Sequence, residues 1–281
     1  MGIKCIGSLV KNCVDPISLV IHDDGTLDNA DINTINEQLA PNCLIRRREA
    51  DERVAERLSR YPSCQAFRNA HILALKLFDV PLLSKDPVVY CDTDIIFLRK
   101  FSGLDRRSVG KERFVYMMDS ESTYSISNFH RWIGPNRVRM PERVNSGLYF
   151  CDVGTLDLEL AEWFLSEPRY GPEKWHAEQT CWALHAERKG GRCWNPTQIT
   201  PPTETPTALT IAVHCSGWHK YLIDQLDAAE WPADNLAAEM QTIPPVYDSF
   251  LSVARHRITN RINGYLGRAK RYARSLATAA D

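Results

Sequence analysis

Short apolar runs alternate with amphipathic stretches along most of the chain. Residues 17–21, 43–45, 88–90, 114–118, 148–150 and 209–213 are rich in β-branched and aromatic side chains and read as strands. Between them, 28–39, 51–58, 66–78, 156–165 and 174–186 carry helical spacing, and 3–14 is helix-like almost from the start. Such alternation predicts an α/β fold with a mostly parallel central sheet flanked by helices. Ligands of such sheets bind beyond the carboxyl ends of the strands. Asp92 and His214 each follow an apolar run and therefore fall where a ligand sits.

Punctuation is loop-like at 135–141, 189–191 and 196–206, where Pro, Gly and Thr gather. From about Pro244 the character changes. No acidic residue occurs between Asp248 and Asp281, while Arg255, Arg257, Arg261, Arg268, Lys270, Arg271 and Arg274 accumulate. The chain thus reads as a domain over 1–243 and a basic, helical tail over 244–281. A net charge of −1 gives no electrostatic reason to expect a nucleic-acid partner. The nine cysteines include no C-x-x-C pair, which argues against a zinc ribbon or a thioredoxin-like motif. A dispersed, odd set with no secretory leader or membrane-length apolar run reads as reduced thiols in a cytoplasmic protein.

The segment Val88-Val89-Tyr90-Cys91-Asp92-Thr93-Asp94 delivers two carboxylates from a strand into a turn, with one residue between them. Side chains two apart converge when a strand ends, and hard oxygen donors suit Mn²⁺ or Mg²⁺. Taken alone, Asp-x-Asp is equally an exposed turn whose carboxylates cap the next segment. A rival motif lies at Ile21-His22-Asp23-Asp24-Gly25-Thr26-Leu27, which looks like the Asp-x-Asp-Gly-Thr-Leu signature of haloacid-dehalogenase phosphatases. Its nucleophilic aspartate is replaced by His22, which cannot form the aspartyl-phosphate. Asp24-Gly25 reads instead as a turn, with Asp28 capping the next helix.

Further along come Lys76 before the Asp-x-Asp, then Asn145-Ser146-Gly147, Glu178-Gln179 and His214-Cys215-Ser216-Gly217-Trp218-His219-Lys220. Each has an ordinary structural alternative; the joint order is what carries information. That order resembles glycosyltransferase family 8, the glycogenin and bacterial galactosyltransferase group, whose signature runs Lys, Asp-x-Asp, Asn-Ser-Gly, Asp-Gln, His-x-x-Gly-x-x-Lys. The resemblance implies the GT-A, Rossmann-like nucleotide-diphospho-sugar transferase fold and a metal-dependent, retaining transfer from a UDP-sugar to a glycan, lipid-linked or protein acceptor. It implies Asp92, Asp94 and His214 as ligands of Mn²⁺ (or Mg²⁺). Lys76, Thr93, Asn145, Ser146, Gly147, Gly217 and Lys220 would bind substrate, and Gln179, Glu178 and Lys220 would act at the reacting centre. Within that picture Gln179 lies beside the anomeric carbon and Glu178 holds a sugar hydroxyl.

The chain departs from the pattern at three places. Glu178 stands where the family has Asp, Tyr221-Leu222 follows the last motif in place of Pro-Trp, and the helix-like 3–14 stands where the family opens with a strand of the base pocket. The competing readings are a nucleotidyltransferase on a similar sheet and a non-catalytic nucleotide-sugar-binding protein. In the tail, Ile258, Ile262, Leu266, Ala269, Ala273 and Leu276 follow the three-and-four spacing of one helix face. That stripe and its basic residues suit either peripheral contact with an anionic membrane or docking on the catalytic domain.

Overall fold

The computed structural model describes residues 1–106, 112–126, 138–168, 175–226 and 236–247. The chain divides into two compact units, Met1–Pro245 and Val246–Asp281. The amphipathic tail reading falls on 248–281, outside the described residues. Among the described residues no helix is long and apolar enough to cross a membrane.

The first unit opens with helix α1 (Gly2–Asn12), strand β1 (Leu19–His22), α2 (Asn29–Gln38) and β2 (Asn42–Ile45), and β1 and β2 pair in parallel. Asp28 caps α2 reciprocally with Asp31, as its position predicts. Asp24 accepts from the backbone N–H of Thr26, and Gly25 adopts φ 97°, so the phosphatase-like segment is a turn. Three helices follow: α3 (Arg47–Leu58), α4 (Pro62–Ala70) and α5 (Ala74–Leu83). The single helix expected over 66–78 is therefore two, broken at His71, whose backbone is extended (φ −131°, ψ 119°). Helix α3 starts earlier than expected, because Arg47–Asp51, Arg48–Glu52 and Glu49–Arg53 pair along its first turns.

A five-stranded sheet forms the centre, in the order β12 (Thr242–Ile243), β8 (Arg192–Trp194), β6 (Phe114–Met118), β7 (Val144–Cys151), β3 (Val88–Cys91). Only β6 and β8 run parallel in it; the other neighbours are antiparallel. The mostly parallel sheet that the alternation predicts is thus a mixed one. Parallel neighbours need a crossover of a dozen or more residues, usually a helix. From β3 to β7 the described chain has only the short strands β4 (Ile95–Phe97) and β5 (Phe101–Ser102) and then β6, with no described helix to carry it back across.

Alternation along the central strands fills both faces of the sheet. Phe114, Tyr116, Tyr149 and Cys151 pack with Leu58, Phe67, Leu77 and Phe78 and with α6 (Leu158–Ser166) and α7 (Ala177–Lys189). Val115, Met117, Leu148 and Phe150 point the other way, onto Ile95, Phe97, Ile211, Ala212 and Leu9. That second layer contains a three-stranded sheet, β4, β10 (Ala212–His214) and β9 (Ile199–Thr200). Strand β11 (Ala238–Glu239) pairs with β5.

Candidate metal centre

The Asp92-Thr93-Asp94 turn links β3 to β4, and each side of it is held by a different partner strand. On the β3 side, Cys91 stands opposite Leu148 of β7, and the Asp92 N–H donates to the Gly147 carbonyl at 2.7 Å. On the β4 side, Ile95 stands opposite His214 of β10, and the Cys215 N–H donates to the Asp94 carbonyl at 2.8 Å. Two sheets therefore meet at this turn and bring a histidine some 120 residues distant to the two aspartates. Ligand atoms of Asp92, Asp94 and His214 all lie within 4.8 Å of one another. Two ligands of one divalent ion lie at most ~4–5 Å apart, since ligand bonds to hard cations are ~2.0–2.6 Å long. The donor set of two carboxylates and an imidazole suits a borderline-to-hard divalent cation. Oδ1 of Asp94 is buried without a hydrogen-bond partner, although His214 Nε2 lies 3.3 Å away. An orphaned carboxylate oxygen beside a ring nitrogen is what an ion would satisfy, so these residues fit a metal.

Two ammonium groups flank the triad. Lys76, in α5, donates to Asp92 Oδ2 at 3.2 Å and lies 3.8 Å from Glu178 Oε2. Burial pulls the Lys76 amine down, yet Glu178 and Asp92 outweigh it and hold it above its ordinary value, so it stays charged. Lys220 approaches Asp94 Oδ2 at 3.6 Å with about half of its side chain in solvent. Its carrier is the 3-10 segment Gly217–Asp224 that follows β10. At Asp94 burial acts upward, but His214, Lys220 and Lys76 prevail and hold the carboxyl below the usual carboxylate range.

Strand β7 carries an irregularity where the site needs it. Opposite β6, Tyr116 pairs with Tyr149 but the next residue, Met117, pairs with Asn145. Ser146, Gly147 and Leu148 are the surplus on the β7 side, a bulge that re-aims side chains at the site. Asn145 accepts from the Gly147 N–H at 2.7 Å and donates to Asp119 at 3.0 Å. A Cβ at Gly147 would stand 3.0 Å from Asn145 Oδ1 and from Met117 Cε, and 3.2 Å from Asp92 Oδ2. Ser146 is buried and donates to Glu178 Oε2 at 2.9 Å. Burial pushes the Glu178 carboxyl up to about 7, against the lowering pull of Lys76 and Ser146. Its Oε1 has no hydrogen-bond partner.

The residues singled out in the sequence fall into two groups. Lys76, Asp92, Ser146, Gly147 and Glu178 form one connected set of contacts and Asp94, His214 and Lys220 a second, and the two adjoin where the ligand atoms of Asp92, Asp94 and His214 come within 4.8 Å of one another. Asn145 joins the first set through Gly147. Gln179 is not among these contacts: its amide nitrogen donates to the backbone and hydroxyl oxygens of Thr123, each at 3.3 Å. Thr93 is exposed at the tip of the turn. Gly217 adopts φ 60° with no protein atom within 4 Å of a built Cβ, so backbone conformation is what calls for glycine there. Tyr90, which is not among the candidates named from the sequence, donates its hydroxyl to Asp92 Oδ1 at 2.6 Å. Burial pushes that phenol well above its ordinary value, so it remains a donor. The available signal was its place two residues before Asp92, on the same face of the strand.

No protein-family model matches the chain, and no curated protein matches it.

Proposed function

We propose that the chain is a metal-dependent glycosyltransferase of GT-A type. In this reading it moves a sugar from a nucleotide-diphosphate donor, a UDP-sugar, to a hydroxyl acceptor with retention of the anomeric configuration. Mn²⁺ (or Mg²⁺) is the ion, and a glycan, lipid-linked or protein molecule supplies the hydroxyl. The observation that carries the reading is the convergence of Asp92, Asp94 and His214 to within 4.8 Å between two lysines. The motif order described above points the same way.

Charge supports a diphosphate ligand. Asp92 and Asp94 are balanced by Lys76 and Lys220, and Glu178 is uncharged below about 7. A divalent ion added to that set leaves the centre positive, and a diphosphate is the complementary anion. When bound, the ion supplies Lewis-acid stabilisation of the departing diphosphate. Lys220, half in solvent, is placed to turn from Asp94 to a phosphate oxygen. Lys76 is nearly buried and keeps its charge, a fixed positive field close to where negative charge develops. Ser146 fixes one oxygen of Glu178, a carboxyl that is itself buried and lies beside the Lys76 ammonium. Thr123 holds the amide nitrogen of Gln179, which leaves its carbonyl dipole for the oxocarbenium-like centre. The acceptor hydroxyl then attacks from the leaving-group face and gives its proton to the departing phosphate.

Thermal-shift titration of UDP-sugars and GDP-sugars with and without Mn²⁺, followed by a donor-hydrolysis assay, tests the reading. Wild-type protein should bind donor only with Mn²⁺, and Asp94→Ala should lose that binding while keeping its fold. Normal turnover by Asp94→Ala would remove the metal from the mechanism. Mn²⁺-dependent binding without any turnover would favour a non-catalytic nucleotide-sugar-binding protein. A product of inverted anomeric configuration would contradict retention.

A further inference from the structure

Both carboxylate oxygens of Asp92 are already engaged by the protein. Tyr90 donates to Oδ1 at 2.6 Å and Lys76 to Oδ2 at 3.2 Å. An ionised carboxylate offers about two lone-pair directions per oxygen, so both oxygens can still bind an ion while their donors stay in place. What the two donors remove is rotation of the carboxylate about its own axis.

The donors are themselves tied together. Tyr90 stands directly opposite Tyr149 in the β3–β7 register, and their rings stack with centroids 5.0 Å apart at 20°. The Tyr149 hydroxyl donates to the backbone carbonyl of Lys76 at 2.7 Å, and the Lys76 ammonium lies 5.7 Å from the centre of the Tyr90 ring. Asp92, Tyr90, Tyr149 and Lys76 thus form a closed ring of contacts across β3, β7 and α5. Nothing in the packing alone requires this ring: a phenylalanine at 90 would keep the stack and the apolar contacts. Among the described residues the one hydrogen bond of that hydroxyl is to the carboxylate.

We propose that Tyr90 is a positioning residue of the metal centre, acting through Asp92, with Tyr149 holding its ring in place. This rests on the metal reading given above and adds a residue to it. Groups that hydrogen-bond a metal ligand orient it, and their loss typically weakens metal binding by roughly 10–100-fold. Tyr90→Phe deletes the one oxygen and leaves Asp92 free to rotate between its lysine and solvent.

The test is a Mn²⁺ titration of the full chain, followed by EPR of free Mn²⁺, on wild type, Tyr90→Phe and Asp94→Ala, with far-UV circular dichroism on each. Wild type should bind, Asp94→Ala should not, and Tyr90→Phe should bind roughly 10–100-fold more weakly with an unchanged spectrum. A structural role alone would leave metal affinity unchanged in a folded variant. Wild-type affinity in folded Tyr90→Phe, beside failed binding in Asp94→Ala, overturns the positioning role and leaves the metal centre standing. Failure of wild type to bind Mn²⁺ overturns both. Should Tyr90→Phe not fold, Tyr149→Phe takes its place, because it deletes the hydroxyl bond to the Lys76 carbonyl and so opens the ring of contacts while the stack remains. Weakened Mn²⁺ binding is then expected, and unchanged affinity overturns the role.

Discussion

Gly147 sits at the closest approach of three structural features: the β7 bulge, the Met117 side chain and the Asp92 carboxylate. A methyl group there would press on Asn145 Oδ1 and Met117 Cε at 3.0 Å and on Asp92 Oδ2 at 3.2 Å. Met117 ends in a flexible thioether and can yield. Asn145 cannot yield as easily, since that same oxygen accepts from the Gly147 N–H at 2.7 Å. Asp92 is the remaining neighbour, so relief of the clash moves a metal ligand. Gly147→Ala is therefore expected to cost about 1–3 kcal/mol of stability by overpacking. It should weaken Mn²⁺ binding at the same time. Urea unfolding with an unchanged m-value, alongside Mn²⁺ titration, measures both. A variant that loses stability but binds Mn²⁺ as wild type would show that the strain is absorbed away from Asp92. Tyr90, Gly147 and Lys76 all act on one carboxylate, and only the last two were visible as motif positions. Tyr90 was hidden because an aromatic residue in a strand is ordinarily explained by packing.

At the scale of elements, α5 brings Lys76 to the site and α4 fixes α5. The link between them is a buried ion pair: Arg68 donates to both oxygens of Asp79, each at 2.7 Å, and also to Asp51 of α3 at 2.7 Å. Arg68 and Asp79 are 3 % exposed each, so either charge left alone would be stranded out of water. Arg68→Leu is expected to cost about 3–5 kcal/mol, and Arg68→Leu combined with Asp79→Leu distinctly less. A double-mutant cycle by chemical denaturation checks it, and equal losses in single and double variants would mean that the helices, not the pair, carry the cost. This break between α4 and α5 was not legible in the sequence, where 66–78 keeps helical spacing through His71. The contacts that accompany the break are aromatic, one local and one distant in sequence: His71 stacks on Phe67 and meets Trp175 edge-on, each with ring centroids 5.3 Å apart. Strands β3, β6 and the core of β7 were legible, because they are runs of apolar residues. Strands β4, β5, β8, β9, β11 and β12 are two or three residues long, too short to establish a period, and their pairing is decided by distant partners. That is also why the direction of the sheet was misread: local pattern marks a strand but says nothing of which neighbour it meets.

Titration behaviour belongs to the whole molecule, because among the described residues six carboxyls are displaced from their ordinary values, five of them downward and one upward. Asp51, Asp94, Glu112, Asp157 and Glu162 are all held below their ordinary values. In each, burial acts upward and is outweighed, as by Arg68 and Arg47 at Asp51 and by the Cys64 and Ser63 N–H groups at Glu162. Their folded values lie below the unfolded ones, so the stability they contribute is present above about pH 4 and is lost as pH falls through the folded values. Glu178 runs the other way. Burial raises it from 4.5 to about 7, so between those values the folded chain holds a proton that the unfolded chain has released. The contribution of Glu178 to stability is full below pH 4.5 and falls away as pH rises to about 7. Glu178→Gln keeps the shape of the side chain and an oxygen to accept from Ser146, but has no proton to lose. The difference in thermal midpoint, variant minus wild type, should therefore grow as pH rises from 4.5 to 7 and then level off. Any fixed effect of the amide, and every histidine that titrates in both proteins, cancels in that difference. Calorimetric scans at half-unit steps of pH read it directly. A difference that stays flat across the window would mean that Glu178 is already ionised in the folded chain, paired with Lys76, and that its charge is part of the site at neutral pH.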